Sequence, residues 1–471
     1  MGPAHGLAPT KTVVVLGGAY GGARAAQLIA AGLPDGWRIF LIDRNSHANH
    51  VYILPRLAVL AGHEHKAFIP YDNIFNAPEN AKTDAKYTFI QAQIQSLSTH
   101  SVKLSRAFPE HGIETDTLHF DYAVYALGSH LPSPLNLWNS TPDEKSPLHA
   151  YGGTKAESIA WIKRKQHTIE DAGSILIVGG GALGIQFATD IAAVYPGKAV
   201  TLLHSRHRLL PRFDNAMHTE ILQALESADV EVILGERLDL ATAKPGARVV
   251  HTQSGREIRA DLILLCTGQR PNTEFLRELD ARTVDPGTAL AHVLRTMQLA
   301  PAPGPAETQG TPASDPPSDN ADALAADFAQ IALQAEGADD TDVSTASDSD
   351  ESAATDLEEA TSYPHIFVVG DAADAFGAIP AGHNAYYQAE VAARNVLRLI
   401  RRSAEEHDAN APLERYAPGA PAIKVSLGLK KNVYEVAGVV GVAVETRDDL
   451  NAAAMWSYFG SPVTDEADMY R

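Results

Sequence analysis

A glycine-rich turn that closes a run of β-branched residues and opens a helix occurs twice in this chain, and few folds hold two of them. Lys11–Leu16 (KTVVVL) leads into Gly17-Gly18-Ala19-Tyr20-Gly21-Gly22. Small and apolar residues then follow at helical spacing from Ala23 to Ala31, and a second short strand, Arg38–Ile42, ends at Asp43. The pattern returns at Ser174–Val178 (SILIV), with Gly179-Gly180-Gly181-Ala182-Leu183-Gly184, a helix from Ile185 to about Tyr195, and the strand Ala199–Leu203. Strand, glycine turn, helix, strand is a βαβ unit on a buried parallel sheet. Two units predict an α/β protein with two Rossmann-like dinucleotide-binding domains.

The glycines have a physical reason. A pyrophosphate sits at the N-terminus of the helix after the turn, where unpaired N–H groups and the helix dipole face it, and any Cβ at the closest approach would push it away. Gly179, Gly181 and Gly184 complete the GxGxxG spacing; in the first turn Gly17 and Gly22 hold the outer positions, but the middle one is Ala19. The residue about 20 positions past the last glycine faces the ribose. In the first unit it is Asp43, a carboxylate that can accept both ribose hydroxyls, which suits FAD or NAD. In the second it is His204, with Arg206 and Arg208 close behind and no carboxylate to repel a 2′-phosphate. The second nucleotide is therefore NADH or NADPH.

Charge and composition exclude other classes. The chain of 471 residues carries 38 Lys and Arg against 58 Asp and Glu, a formal charge of −20, which argues against a grip on nucleic acid. The acidity is local: Thr296 to Ala393 contains no Lys or Arg, and fifteen acidic residues lie between Glu307 and Glu359. Residues 300–361, rich in Pro, Ala, Ser, Asp and Thr, read as a disordered acidic insert with a transient helix over Ala323–Ala335, either a solvated spacer or a regulatory loop. The one cysteine, Cys266, rules out an intramolecular disulfide and a redox pair, so redox chemistry must come from a bound cofactor. His47, His50, His63 and His65 lack supporting ligands, and no metal site is expected. No apolar run is long enough for a transmembrane helix, and no secretory signal is read at the N-terminus, so a cytoplasmic protein is expected, with mitochondrial association and peripheral membrane contact left open. For want of a signal, the sequon at Asn139 is read as a chance match.

Further apolar strands end in small residues: Tyr122–Leu127 before Gly128, Leu262–Cys266 before Thr267-Gly268, and Ile366–Val369 before Gly370-Asp371. A helix is expected over residues 380–402, and β-rich pieces over Ala422–Leu427 and Val433–Val444.

These segments resemble, in order, the apoptosis-inducing-factor-like flavoprotein reductases of the AMID and ferroptosis-suppressor type, and more distantly the type II NADH dehydrogenases. The carriers are VVVLGGAYGG, SHANHVYILPRLAVLAG, FIPY, YALGS, ILIVGGGALGIQFATDI, VTLLHS, LLCTG, IFVVGDAAD and YAPGAPAIKVSLG. The resemblance implies an FAD-binding domain from residues 1–145, 269–299 and 362–405, an NAD(P)H-binding domain over 146–268, and a small C-terminal α+β region over 406–471. It implies FAD contacts at Gly17, Gly18, Ala19, Tyr20, Gly21, Gly22, Asp43, Arg56, Ile94, Gly128, Gly370 and Asp371. The NAD(P)H contacts would be Gly179, Gly181, Gly184, His204, Arg206 and Gly268.

The implied activity is hydride transfer from NAD(P)H to flavin, with electrons passed on to an acceptor, a quinone by resemblance. Two alternatives stay open: a reductase of an electron-carrier protein, and a nicotinamide-responsive signalling flavoprotein with little turnover. The flavin carries the chemistry. Candidate side chains beside it are Asn384 and Gln388, where type II NADH dehydrogenases place glutamines near the quinone, and Gln186, where the family usually has Glu. An amide there can bond the carboxamide but takes no proton at neutral pH. Asn451, where related tails carry an aromatic, departs from the pattern.

Overall fold

The computed structural model describes residues 10–75, 86–130, 152–244, 246–302, 360–404 and 411–471. The acidic insert falls almost wholly outside the described residues, as do the helix expected over Ala323–Ala335 and the sequon at Asn139.

Strand β1 (Lys11–Leu16) is the centre of the first sheet, with Val13 to Leu16 fully buried. A strand covered on both faces has no polar side to show, hence its unbroken apolar run. It runs parallel to β2 (Trp37–Asp43) on one side and to β4 (Tyr122–Tyr125) on the other; β3 (Tyr87–Gln91) extends the sheet beyond β2. The crossover α1 (Gly21–Gly32) joins β1 to β2.

The second unit opens with α2 (Lys155–Asp171), then β5 (Ser174–Val178), α3 (Ala182–Val194), β6 (Ala199–His204), β7 (Glu231–Leu234) and β8 (Leu262–Leu265). Its four strands are parallel, in the order β7-β6-β5-β8. The chain then returns: β9 (Gln298–Leu299) and β10 (Tyr363–Val368) complete the six-stranded first sheet in the order β9-β10-β4-β1-β2-β3. Outward and return passages run side by side, Ser129 and His130 pairing antiparallel with Pro271 and Arg270.

Helix α4 (Gly382–Ser403) then packs across α1 at glycines: a Cβ on Gly21 would lie 2.8 Å from the Ala385 carbonyl oxygen, and one on Gly32 2.6 Å from Leu397. The helix starts two residues past Pro380. The last unit is an antiparallel meander of β11 (Ala422–Ser426), β12 (Lys431–Val436) and β13 (Val439–Val444), followed by α5 (Ala452–Tyr458). Trp456 on α5 is fully buried and donates its indole N–H to the Lys66 carbonyl at 3.0 Å. Burial of a side chain this large contributes upwards of about 2 kcal/mol and ties the C-terminal segment to the first unit. Among the described residues no helix is long and apolar enough to cross a membrane.

Candidate functional site

Both glycine turns are built the same way. Gly17 (φ +96°) and Gly179 (φ +123°) turn the chain off the strand in the left-handed region, where a side chain would strain the backbone. Gly22 and Gly184 then pack on them: an added Cβ would sit 1.8 Å from the Gly17 oxygen and 1.9 Å from the Gly179 oxygen. These glycines are needed by the protein itself. Gly181 differs, since a Cβ there meets nothing within 4 Å. No described protein atom requires a glycine at that position, and the space would admit a phosphate laid against the turn.

Helices α1 and α3 run inward from these turns, beginning at Gly21 and Ala182. Neither carries a side-chain cap or an acidic residue in its first turn. Helix α2 of the same protein is closed by a capping box of Thr154 and Glu157. An uncapped, acid-free start at each glycine turn is what an anion there would require, and the start of α4 is uncapped in the same way. The residues present fit two dinucleotides.

Around the first turn, the Gly18 N–H donates to Asp43 Oδ2 at 2.8 Å, the Asn45 N–H donates to Oδ1 at 2.8 Å, and the Tyr71 hydroxyl donates to Oδ2 at 3.4 Å. Burial raises the Asp43 pKa, and the amides of Asn45 and Gly18 pull it back. Beside it opens a cavity of about 590 Å³ at the carboxyl ends of β2 and β3, lined in part by Arg44, Gln91, Ala92 and Gln93. That lining stops one residue short of Ile94, which pairs with Leu104 in a separate sheet.

Tyr20 holds a strained backbone (φ +35°) and shares a hydrogen bond between its hydroxyl and His50 Nδ1 at 3.0 Å. A Cβ on Gly382, at the start of α4, would lie 3.0 Å from the Tyr20 ring. Burial chiefly raises the Tyr20 pKa, and the charge of Asp371 adds to it. The first turn, the start of α4 and Asp371 therefore converge. Asp371 accepts the Ser129 hydroxyl at 2.9 Å, and burial raises its pKa. Gly370 turns at φ +76°, and Gly128 and Gly268 at +61° and +119° stand just ahead of the two paired passages.

In the second unit His204 Nδ1 accepts the Gly180 N–H at 3.0 Å, and Nε2 lies 3.1 Å from the Arg208 oxygen. Arg206 is exposed. Gln186 is buried, its amide directed at the Tyr52 oxygen at 3.5 Å.

A family model for pyridine nucleotide-disulphide oxidoreductase matches residues 11–294, a span that holds both turns. The chain belongs to the pyridine nucleotide-disulphide oxidoreductase family. Fe-regulated protein 8 of Mycosarcoma maydis is 37% identical over 460 residues, covering 97% of this chain and 96% of that protein. Ferroptosis suppressor protein 1 of Mus musculus is 24% identical over 438 residues, covering 90% and 88%. In fold, the chain is similar to NDH2 from Plasmodium falciparum in complex with NADH, with a TM-score of 0.60 at 10% identity over 96% of both chains. It is also similar to the water-forming NADH oxidase of Lactobacillus brevis bound to NADH, with a TM-score of 0.55 at 18% identity over 90% of this chain and 74% of that one. This pyridine nucleotide-disulphide oxidoreductase is an FAD-dependent NAD(P)H oxidoreductase.

The geometry engages three of the expected site residues in contacts within the protein. Arg56 is not open to a ligand. It is fully buried, and its guanidinium donates to Asp190 Oδ2 at 2.9 Å and to the carbonyls of Asp448 and Gly428 at 2.8 and 2.7 Å. A side chain with no surface open to water has no face for FAD; it joins the first unit, α3 and the C-terminal region. Asn384 and Gln388 are likewise buried and turned inward. Asn384 donates to the Ile379 oxygen at 2.9 Å, and Gln388 Oε1 accepts the Gly370 N–H at 2.7 Å. Four residues apart, they share the helix face that packs on the protein, and Gln388 holds the turn that carries Asp371. Sequence reasoning weighed His50 only as a metal ligand and passed over Ser129 and Tyr71. Ser129 follows Gly128 within YALGS, and that adjacency was the available signal.

Proposed function

We propose that this oxidoreductase takes two electrons from NAD(P)H and delivers them to a quinone. The observation that carries the external acceptor is Cys266. It is the chain's one cysteine, and it is buried at the end of β8 with its thiol pKa pushed up by burial. No dithiol stands between nicotinamide and acceptor, so the family's disulfide route is closed. The quinone rests on the resemblance to the apoptosis-inducing-factor-like and type II NADH dehydrogenase groups.

When bound, FAD accepts a hydride equivalent and can release electrons in pairs or singly, which suits a quinone. The protein's part is binding and orientation. The open N-terminus of α1 would hold the FAD pyrophosphate, and Asp43, its carboxylate retaining free lone pairs, would accept ribose hydroxyls. Asp371, fixed by Ser129 and by the Gly370 turn, would accept hydroxyls of the ribityl chain. The uncapped start of α4, with no acid in its first turn, lends positive potential beside Tyr20 and favours negative charge there. The open N-terminus of α3 and Gly181 would hold the pyrophosphate of NAD(P)H, and Gln186 would bond the carboxamide.

The test is anaerobic mixing of the holoenzyme with NADH or NADPH, then reoxidation with a panel of quinones and with ferredoxin-type carriers, following the flavin spectrum. Rapid bleaching and saturable reoxidation by a quinone are expected. Reoxidation by a carrier protein alone would move the assignment to a carrier reductase, and slow reoxidation by every acceptor would favour a signalling flavoprotein.

A further inference from the structure

The two units handle the same backbone amide with different side chains, and the difference bears on which pyridine nucleotide is used. In the first unit Asp43 accepts the turn N–H of Gly18, and its carboxylate still has lone pairs to spare. In the second unit His204 takes over that bond: Nδ1 accepts the Gly180 N–H, which fixes the proton on Nε2, where it faces the Arg208 oxygen. Burial lowers the His204 pKa, consistent with a neutral ring of this tautomer. Both nitrogens are thus used inside the protein. The position that would hold a ribose diol has no acceptor left to offer and no negative charge to repel a phosphate.

What surrounds the position is cationic. The Gly235 N–H donates to the Arg206 oxygen at 3.0 Å and the Glu236 N–H to the His204 oxygen at 3.2 Å, which lays residues 235–237 beside 204–206. Arg206 and Arg237 are exposed, and neither side chain makes a hydrogen bond or ion pair among the described residues. The nearby carboxylate, Glu236, is already occupied. It pairs with Arg256 at 2.7 Å and accepts the hydroxyls of Thr252 and Ser254 at 2.9 and 2.8 Å.

We infer that the second site prefers the 2′-phosphorylated nucleotide, NADPH, and that Arg206 is the residue that holds the 2′-phosphate, with Arg237 adding to the positive potential. The inference rests on the proposal that the second turn binds the pyridine nucleotide and names which one it selects. An arginine fork matches a phosphate through charge-assisted hydrogen bonds, and here it has no competing partner to give up.

The experiment is equilibrium titration of the oxidised, FAD-loaded protein with NADP+, NAD+ and 2′,5′-ADP by calorimetry, so that turnover plays no part. NADP+ is expected to bind at least about tenfold more tightly than NAD+, with 2′,5′-ADP competing. Arg206→Ala should remove about tenfold from NADP+ and leave NAD+ within about twofold. His204→Asp keeps an acceptor for the Gly180 N–H and adds a carboxylate, so it should tighten NAD+ and weaken NADP+. NAD+ binding as tightly as NADP+, or an Arg206→Ala loss shared equally by both, would overturn the inference. A protein that holds FAD but binds no pyridine nucleotide would instead defeat the reading of the second turn.

Discussion

Arg56 donates to Asp190 at 2.9 Å with neither side chain exposed, although the two lie in different dinucleotide units. The guanidinium also caps two carbonyls of the C-terminal region, so one side chain joins three parts of the molecule. Removing one member of such a pair leaves the other charge buried and unpaired, at a cost of about 3–5 kcal/mol. Arg56→Met is therefore expected to lower the melting temperature steeply. Asp190→Asn should do less harm, because the amide oxygen still accepts from Arg56. Calorimetric melts of the two variants check this. Equal and small shifts would mean that the junction is not held by the pair.

The glycine turns separate into positions the protein itself needs and one, Gly181, where no described protein atom bars a side chain. Gly184→Ala places a methyl 1.9 Å from the Gly179 carbonyl and must displace backbone, so loss of fold or of nucleotide binding is expected. Gly181→Ala meets no protein atom and should leave the melting temperature within about 1 °C of the parent, since surface changes away from packed features cost little. Its affinity for pyridine nucleotide should nonetheless fall roughly tenfold, the effect of a methyl pressed on a bound group. Unchanged affinity would mean that the pyrophosphate does not lie on this turn.

Two buried histidines set an acid limit on stability. Burial lowers the pKa of His47 to about 3 and of His50 to about 4. His47 is also held between the hydroxyls of Ser158 and Ser46, at 2.9 and 3.2 Å. Unfolded histidine takes a proton near pH 6.5, while these stay neutral in the fold. Between about pH 6.5 and 4 the unfolded chain therefore binds more protons, and stability falls as the pH falls through that window. The combined loss is on the order of a few kcal/mol, and stability on this account is full above pH 6.5. Urea midpoints from pH 7.5 to 5 measure it. His47→Gln should flatten the slope by about one proton, and an unchanged slope would show that His47 is not buried neutral.

The fold was legible because each half of the chain states its own arrangement locally. Apolar strand, glycine turn and small-residue helix follow one another directly in the sequence of each unit, and Asp43 can be found by counting from Gly22. Legibility ended where a side chain's contacts are decided far along the chain. Arg56 looks like a ligand contact in YILPR because nothing nearby shows that Asp190 and the Asp448 carbonyl will enclose it. Asn384 and Gln388 lie on the expected helix, but the rotation of that helix about its axis is fixed by packing on α1 at Gly21 and Gly32, which polarity in the sequence does not encode. His204 was found by spacing. That its ring would accept the Gly180 N–H as Asp43 accepts that of Gly18 became visible only with both turns in three dimensions.

The inward turn of Gln388 gives the last prediction. Its Oε1 accepts the Gly370 N–H at 2.7 Å, and Gly370 stands at φ +76° immediately before Asp371. Gln388→Leu leaves that amide without its acceptor and frees the turn, so Asp371 loses its aim while its carboxylate remains. The variant is expected to purify with less FAD, approaching the loss in Asp371→Ala, and the double variant should be little worse than Asp371→Ala because both act on one contact. Flavin-to-protein absorbance ratios after dialysis read this without any acceptor. Were Gln388 instead a contact for the electron acceptor, Gln388→Leu would keep its full complement of FAD and its bleaching by NAD(P)H, and would lose only the rate of reoxidation.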